Sequence, residues 1–136
     1  MLLAHVTQGK VIAVNGSTVV FKPANSTYEL HLTIASGSYN GPMNEPVHAI
    51  LRATARKVYT VPSGGLFVTP IIGPTRILQG RVREAEAGQI ALQCTANFNV
   101  TLPTIPGSVE LARGPIQDGA LVNAVLLPGA TFELAA

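Results

Sequence analysis

Gln8-Gly9-Lys10-Val11 and Gln79-Gly80-Arg81-Val82 are one four-residue pattern set 71 residues apart. At the same spacing Val19-Val20-Phe21 falls on Ile90-Ala91-Leu92. With one residue dropped, Tyr28-Glu29-Leu30-His31-Leu32 falls on Phe98-Asn99-Val100-Thr101-Leu102. Gly41-Pro42 then meets Gly114-Pro115, Val47-His48-Ala49-Ile50-Leu51 meets Val122-Asn123-Ala124-Val125-Leu126, and Tyr59-Thr60-Val61 meets Phe132-Glu133-Leu134. Matches that keep one order and need only short gaps are the mark of an internal repeat. The chain reads as a first copy over residues 1–61, a connector over 62–74 and a second copy over 75–136.

Each copy reads as five short strands. The first is Gly9 to Val14 or Gly80 to Ala85, the second Thr18 to Lys22 or Gln89 to Gln93, the third Tyr28 to Leu32 or Phe98 to Leu102. The last two form a hairpin, Val47 to Arg52 with Val58 to Val61, or Leu121 to Leu127 with Thr131 to Leu134. Asn15-Gly16-Ser17 between apolar runs is a hairpin signal, because Asn and Gly tolerate positive φ; Glu86-Ala87-Gly88 is its counterpart. Alternation puts Val19 with Phe21, Ile90 with Leu92, Tyr28 with Leu30 and Leu32, and Phe98 with Val100 and Leu102, each set on one face. The fourth strand is apolar on both faces, with Ile50 opposite Val47, Ala49 and Leu51, and Val125 and Leu127 in the second copy, so both its faces need cover. Helical periodicity is absent, with room for one helical turn at Ser108 to Ala112. The connector is too apolar for a flexible linker: Leu66, Phe67, Val68, Ile71 and Ile72 ask for burial, as an extra strand.

A five-stranded unit that opens on Gly-Lys-Val resembles the small OB-type barrels, and among them the TOBE and molybdopterin-binding (Mop) domains, whose tandem members bind molybdate. Leu78-Gln79-Gly80-Arg81-Val82 matches the second half of that family's Ser-Ala-Arg-Asn-x-Leu-x-Gly-x-Val motif. The first half, which carries the oxyanion contacts, is replaced by Gly73, Pro74, Thr75 and Arg76, and in the first copy by residues 2–5. The resemblance implies an all-β fold of two five-stranded OB/TOBE-like barrels. As a ligand it implies a small, molybdate-like oxyanion, held by Thr75, Arg76 and Arg81 and, in the first copy, Lys10.

Hydrophobic residues make up 47% of the 136 and charged ones only 12%, against about 25% charge in an ordinary soluble domain. A chain this small has too much surface to hide that apolar content in one core, so a homo-oligomer is expected. The net charge of +2 is a weak draw for polyanions. The single cysteine, Cys94, allows no intrachain disulfide, which suits a reducing compartment and hence the cytoplasm. The stretch Met1 to His5 lacks the features of a secretory signal. No apolar run spans a bilayer, since the longest, Ala120 to Leu127, contains Asn123. The Asn-x-Ser/Thr triplets at Asn15, Asn25 and Asn99 read as turn and strand residues.

Nothing in the sequence has the spacing of catalytic or metal chemistry. His5, His31 and His48 lie in separate segments, and the second copy has Arg76, Thr101 and Asn123 in their places. Glu84 and Glu86 share a strand face beside a turn, where solvated carboxylates are usual. Cys94 has no base nearby in sequence and follows an apolar strand, as a small buried hydrophobe does. Gly64-Gly65 is a turn rather than part of a nucleotide fingerprint. Nucleic-acid binding needs a basic groove with aromatic platforms. Here Arg52, Arg56 and Lys57 are the one cationic cluster, and the matched aromatics Tyr28, Tyr59, Phe98 and Phe132 are expected in the core. The expectation is a non-catalytic binding or assembly module without a cofactor, with oxyanion binding second and weak nucleic-acid binding third.

Overall fold

The computed structural model describes residues 4–86, 88–105 and 107–135. It is all-β. Twelve strands join in one mixed sheet: β1 Thr7–Asn15, β2 Thr18–Pro23, β3 Glu29–Ile34, β4 Pro46–Thr60, β5 Phe67–Thr69, β6 Ile72–Pro74, β7 Ile77–Glu86, β8 Gln89–Gln93, β9 Asn97–Thr101, β10 Val109–Glu110, β11 Leu121–Leu126 and β12 Thr131–Leu134. No helix is present among the described residues, so none is long and apolar enough to cross a membrane.

The pairings run in two closed circuits that share β4. One passes β1-β2-β3-β12-β4 and back to β1; the other passes β4-β11-β7-β8-β9 and back to β4. Antiparallel neighbours dominate, while β12 lies parallel to β3 and β9 parallel to β4. The two halves of the chain are therefore interleaved. β12 comes from the end of the chain yet sits between β3 and β4, and Phe132 packs its ring 5.4 Å from that of Phe21.

Two local features recur at the spacing of the sequence repeat. The β1–β2 ladder slips between Val11 and Ala13, leaving Ile12 as a bulge, and the β7–β8 ladder slips between Val82 and Glu84, leaving Arg83. A Cβ built on Gly9 would overlap the Lys22 carbonyl and the Phe21 ring, and one built on Gly80 would overlap the Gln93 carbonyl. Both positions exclude a side chain because a neighbouring strand crosses too close. At the β1–β2 turn the two loop residues are Gly16 and Ser17, and Gly16 takes φ 63°; in the second hairpin Gly88 has φ 79°, while Ala87 lies outside the described residues.

The structure corrects four expectations. Residues 47–61 form no hairpin: β4 is one continuous strand of 15 residues, with Arg52, Arg56 and Lys57 along its length. The chain from β11 to β12 runs antiparallel along it, β11 pairing its second half and β12 its first. Ser108 to Ala112 makes no helical turn, because Val109 and Glu110 pair in parallel with Val58 and Tyr59. The connector does supply two strands, β5 on β7 and β6 on β3. It buries only Val68 fully, however, and leaves Leu66, Ile71 and Ile72 at 41%, 55% and 59% exposure. Of the matched aromatics, Phe98 and Phe132 are buried and Tyr28 packs half-buried against the core, but Tyr59 is half-buried outside it, with Lys57 Nζ 6.0 Å from its ring centroid.

Candidate functional site

A cleft of about 820 Å³ opens where the two halves meet. Its cations are Arg56 and Arg76, its hydroxyl residues Thr18, Thr33 and Thr75, His31 adds an imidazole, and no carboxylate lines it among the described residues. Local geometry explains the meeting of the arginines. The β4–β11 ladder slips between Val125 and Leu126, which face Lys57 and Ala55, so Arg56 is the unmatched residue. On the other side of Leu126, its N–H donates to the Arg76 carbonyl at 2.9 Å. The two arginines thus flank Leu126 from adjacent strand positions, roughly 10 Å apart at the backbone, and both line the cleft.

The cations of β4 differ in their company. Arg52 pairs with Glu133, and Lys57 pairs with Glu110 at 3.1 Å. Arg56 and Arg76 have no side-chain hydrogen bond or ion pair among the described residues. Thr75, at 4% exposure, buries its Oγ1 beside the cleft with no partner. A buried hydroxyl left without a bond costs about 1–3 kcal/mol.

A second cleft of about 830 Å³ contains Lys10 and Lys22, again with no carboxylate in its lining. These lysines are direct cross-strand partners, a like-charge arrangement that opposes pairing. The second half avoids it, since Arg81 faces Gln93 there, and Gln93 Oε1 accepts from Arg83 Nε at 2.5 Å.

The four oxyanion candidates from the sequence do not converge. Thr75 and Arg76 share the first cleft, Lys10 lies in the second, and Arg81 belongs to neither, donating from Nη1 to the Gly119 carbonyl at 3.1 Å. The Arg52, Arg56 and Lys57 cluster also divides, with only Arg56 in a cleft. Sequence reasoning set His31 aside and missed Lys22 and the joining of Arg56 to Arg76. The joining had no local signal, because it depends on β11 lying between two segments far apart in the chain.

His5 meets Glu84 at 2.7 Å, a pairing the sequence did not suggest. The N-terminal segment is clamped to β9: Asn99 accepts from the His5 N–H at 2.8 Å and donates to the His5 and Leu51 carbonyls, while Asn97 Nδ2 donates to the Val6 carbonyl. No group of three or more His, Cys, Asp or Glu side chains that could hold a metal ion gathers among the described residues. Cys94 is buried, its thiol donates to the Ala96 carbonyl at 3.0 Å, and desolvation pushes its pKa up to about 11, which suppresses the nucleophilic thiolate. No protein-family model matches the chain, and no curated protein sequence is similar to it.

Proposed function

We propose that this chain is a non-catalytic module of two copies of an OB-like five-stranded barrel, and that its function is to assemble into a homo-oligomer. The exposed apolar connector carries the reading. Leu66, Ile71 and Ile72, each 41% exposed or more, sit in a chain with few surface charges, and apolar surface of this kind favours a protein contact over water. A second copy is the occupant that needs no further component. The two bulges and two crowded glycines at matched positions support the duplication, and the two pairing circuits support the barrels. Cytoplasmic residence fits the single buried thiol.

Sedimentation analysis and native mass spectrometry test the reading. A defined oligomer is expected, converted to monomer by Ile71→Ser with Ile72→Ser. A wild-type chain that stays monomeric across micromolar concentrations overturns it.

The Arg56–Arg76 cleft favours a second reading, that the module also binds a small oxyanion. Two guanidiniums without partners and a lining free of carboxylates, both among the described residues, favour an anion. Added mass matching an oxyanion in the native spectrum would support it. Nucleic-acid binding is the weaker third reading, since Glu133 and Glu110 neutralise two of the three cations it would use.

A further inference from the structure

We propose that the Arg56–Arg76 cleft takes the phosphate monoester of a small apolar molecule, an inference that rests on the anion-binding reading and names its ligand class. Charge comes first. Of the three cations on β4, the two outside the cleft's lining have acidic partners, and the one that lines it has none among the described residues. Arg76 brings a second guanidinium, unpaired among the described residues, from the start of the second half, and His31 an imidazole from β3. A phosphate monoester carries between about one and a half and two negative charges near neutral pH. Its oxygens suit the planar donor forks of paired arginines better than a single point charge would.

Size and surface separate this ligand from a bare oxyanion. Small-molecule sites occupy about 300–1,000 Å³, and the cleft, at about 820 Å³, falls in that range. A tetrahedral oxyanion alone would leave most of it to water. Ile77, Val125, Pro70, Pro74 and Pro128, none of them fully buried, supply apolar surface beside the arginines, and apolar surface gains only from an apolar ligand body. Thr75, a lining residue, has a buried Oγ1 with no partner among the described residues, as Thr95 has in the lysine cleft.

Titration of the ¹⁵N-labelled chain at fixed ionic strength tests the proposal, with phenyl phosphate, hexyl phosphate, inorganic phosphate and molybdate as probes. At least one ester is expected to bind roughly tenfold or more tighter than inorganic phosphate, with amide shifts at Thr75, Ile77 and Leu126. Arg56→Gln with Arg76→Gln should abolish that binding while leaving the rest of the spectrum in place. Lys10→Gln with Lys22→Gln, in the other cleft, should not change it. If molybdate or inorganic phosphate binds as tightly as both esters, the ester proposal falls and the oxyanion reading stands. If no probe binds, both fall. Ester binding lost in the lysine variant and kept in the arginine variant would overturn the assignment to this cleft.

Discussion

Arg56 and Cys94 show how much a single side chain owes to what the fold places beside it. In sequence Arg56 belongs with Arg52 and Lys57 as one basic cluster. The bulge opposite Val125 and Leu126 and the partners Glu133 and Glu110 split the three, so that the acidic residues 81 and 53 positions along the chain decide which cation remains free. No local pattern encodes that. Cys94 was legible, since a thiol next to an apolar strand with no base in reach is a small hydrophobe, and it is buried. Its burial has a measurable consequence. The folded pKa, about 11, lies above the ordinary 9.0, so the folded state holds the proton longer than the unfolded chain does. The stability contributed by the neutral thiol is therefore whole below pH 9.0 and is lost as the pH climbs toward about 11, a loss of about 2–3 kcal/mol in all. Urea unfolding of the wild type and of Cys94→Ala from pH 8 upward should show this extra loss in the wild type alone. At pH 8 a thiol reagent should label native Cys94 only at the rate of unfolding.

The bulged hairpins and the long strand mark the limits of pattern reading at the scale of elements. Gly9 and Gly80 were placed in register by the repeat, but their reason lay out of sight: each passes under a carbonyl of the next strand, Lys22 or Gln93, where a Cβ would collide with backbone. Because backbone cannot swing aside as a flexible side chain does, Gly9→Ala and Gly80→Ala should each destabilise the chain by about 1–3 kcal/mol, against the small gain an alanine usually brings to a strand. Paired denaturant titrations would measure this, and a neutral effect at both sites would show that the hairpins can separate at no cost. The continuity of β4 was readable and passed over. Ala49, Leu51, Ala53 and Ala55 keep one buried face while His48, Arg52, Thr54 and Arg56 keep the exposed one. The period of two runs unbroken from Val47 to Arg56 and shifts only at the bulge, where Arg56 is unmatched.

In the whole molecule, repeat and topology part company, and the sequence spoke only for the first. The 71-residue spacing aligns one segment with another; it cannot say which strand completes which pairing, because that is a matter of long-range contacts with no local signal. The last strand settles it. β12 lies between β3 and β4, with the Thr33 and Ala35 amides donating to the Ala130 and Phe132 carbonyls at 2.9 and 3.0 Å. Removing residues 128–136 would therefore open not the second circuit, to which they are adjacent in sequence, but the first. It would uncover Phe21, whose ring now packs on Phe132, and leave the facing edges of β3 and β4 unpaired. Hydrogen exchange on the truncated chain should show protection lost at Thr33 and Ala35 and along residues 49–52 of β4, while the β7–β8 ladder keeps more of its own. The intact chain, whose halves share β4, should unfold in one transition, since neither circuit can close without a strand from the other half. Two separated transitions in the intact chain, or loss confined to the second half in the truncated one, would mean that each copy closes on itself in solution.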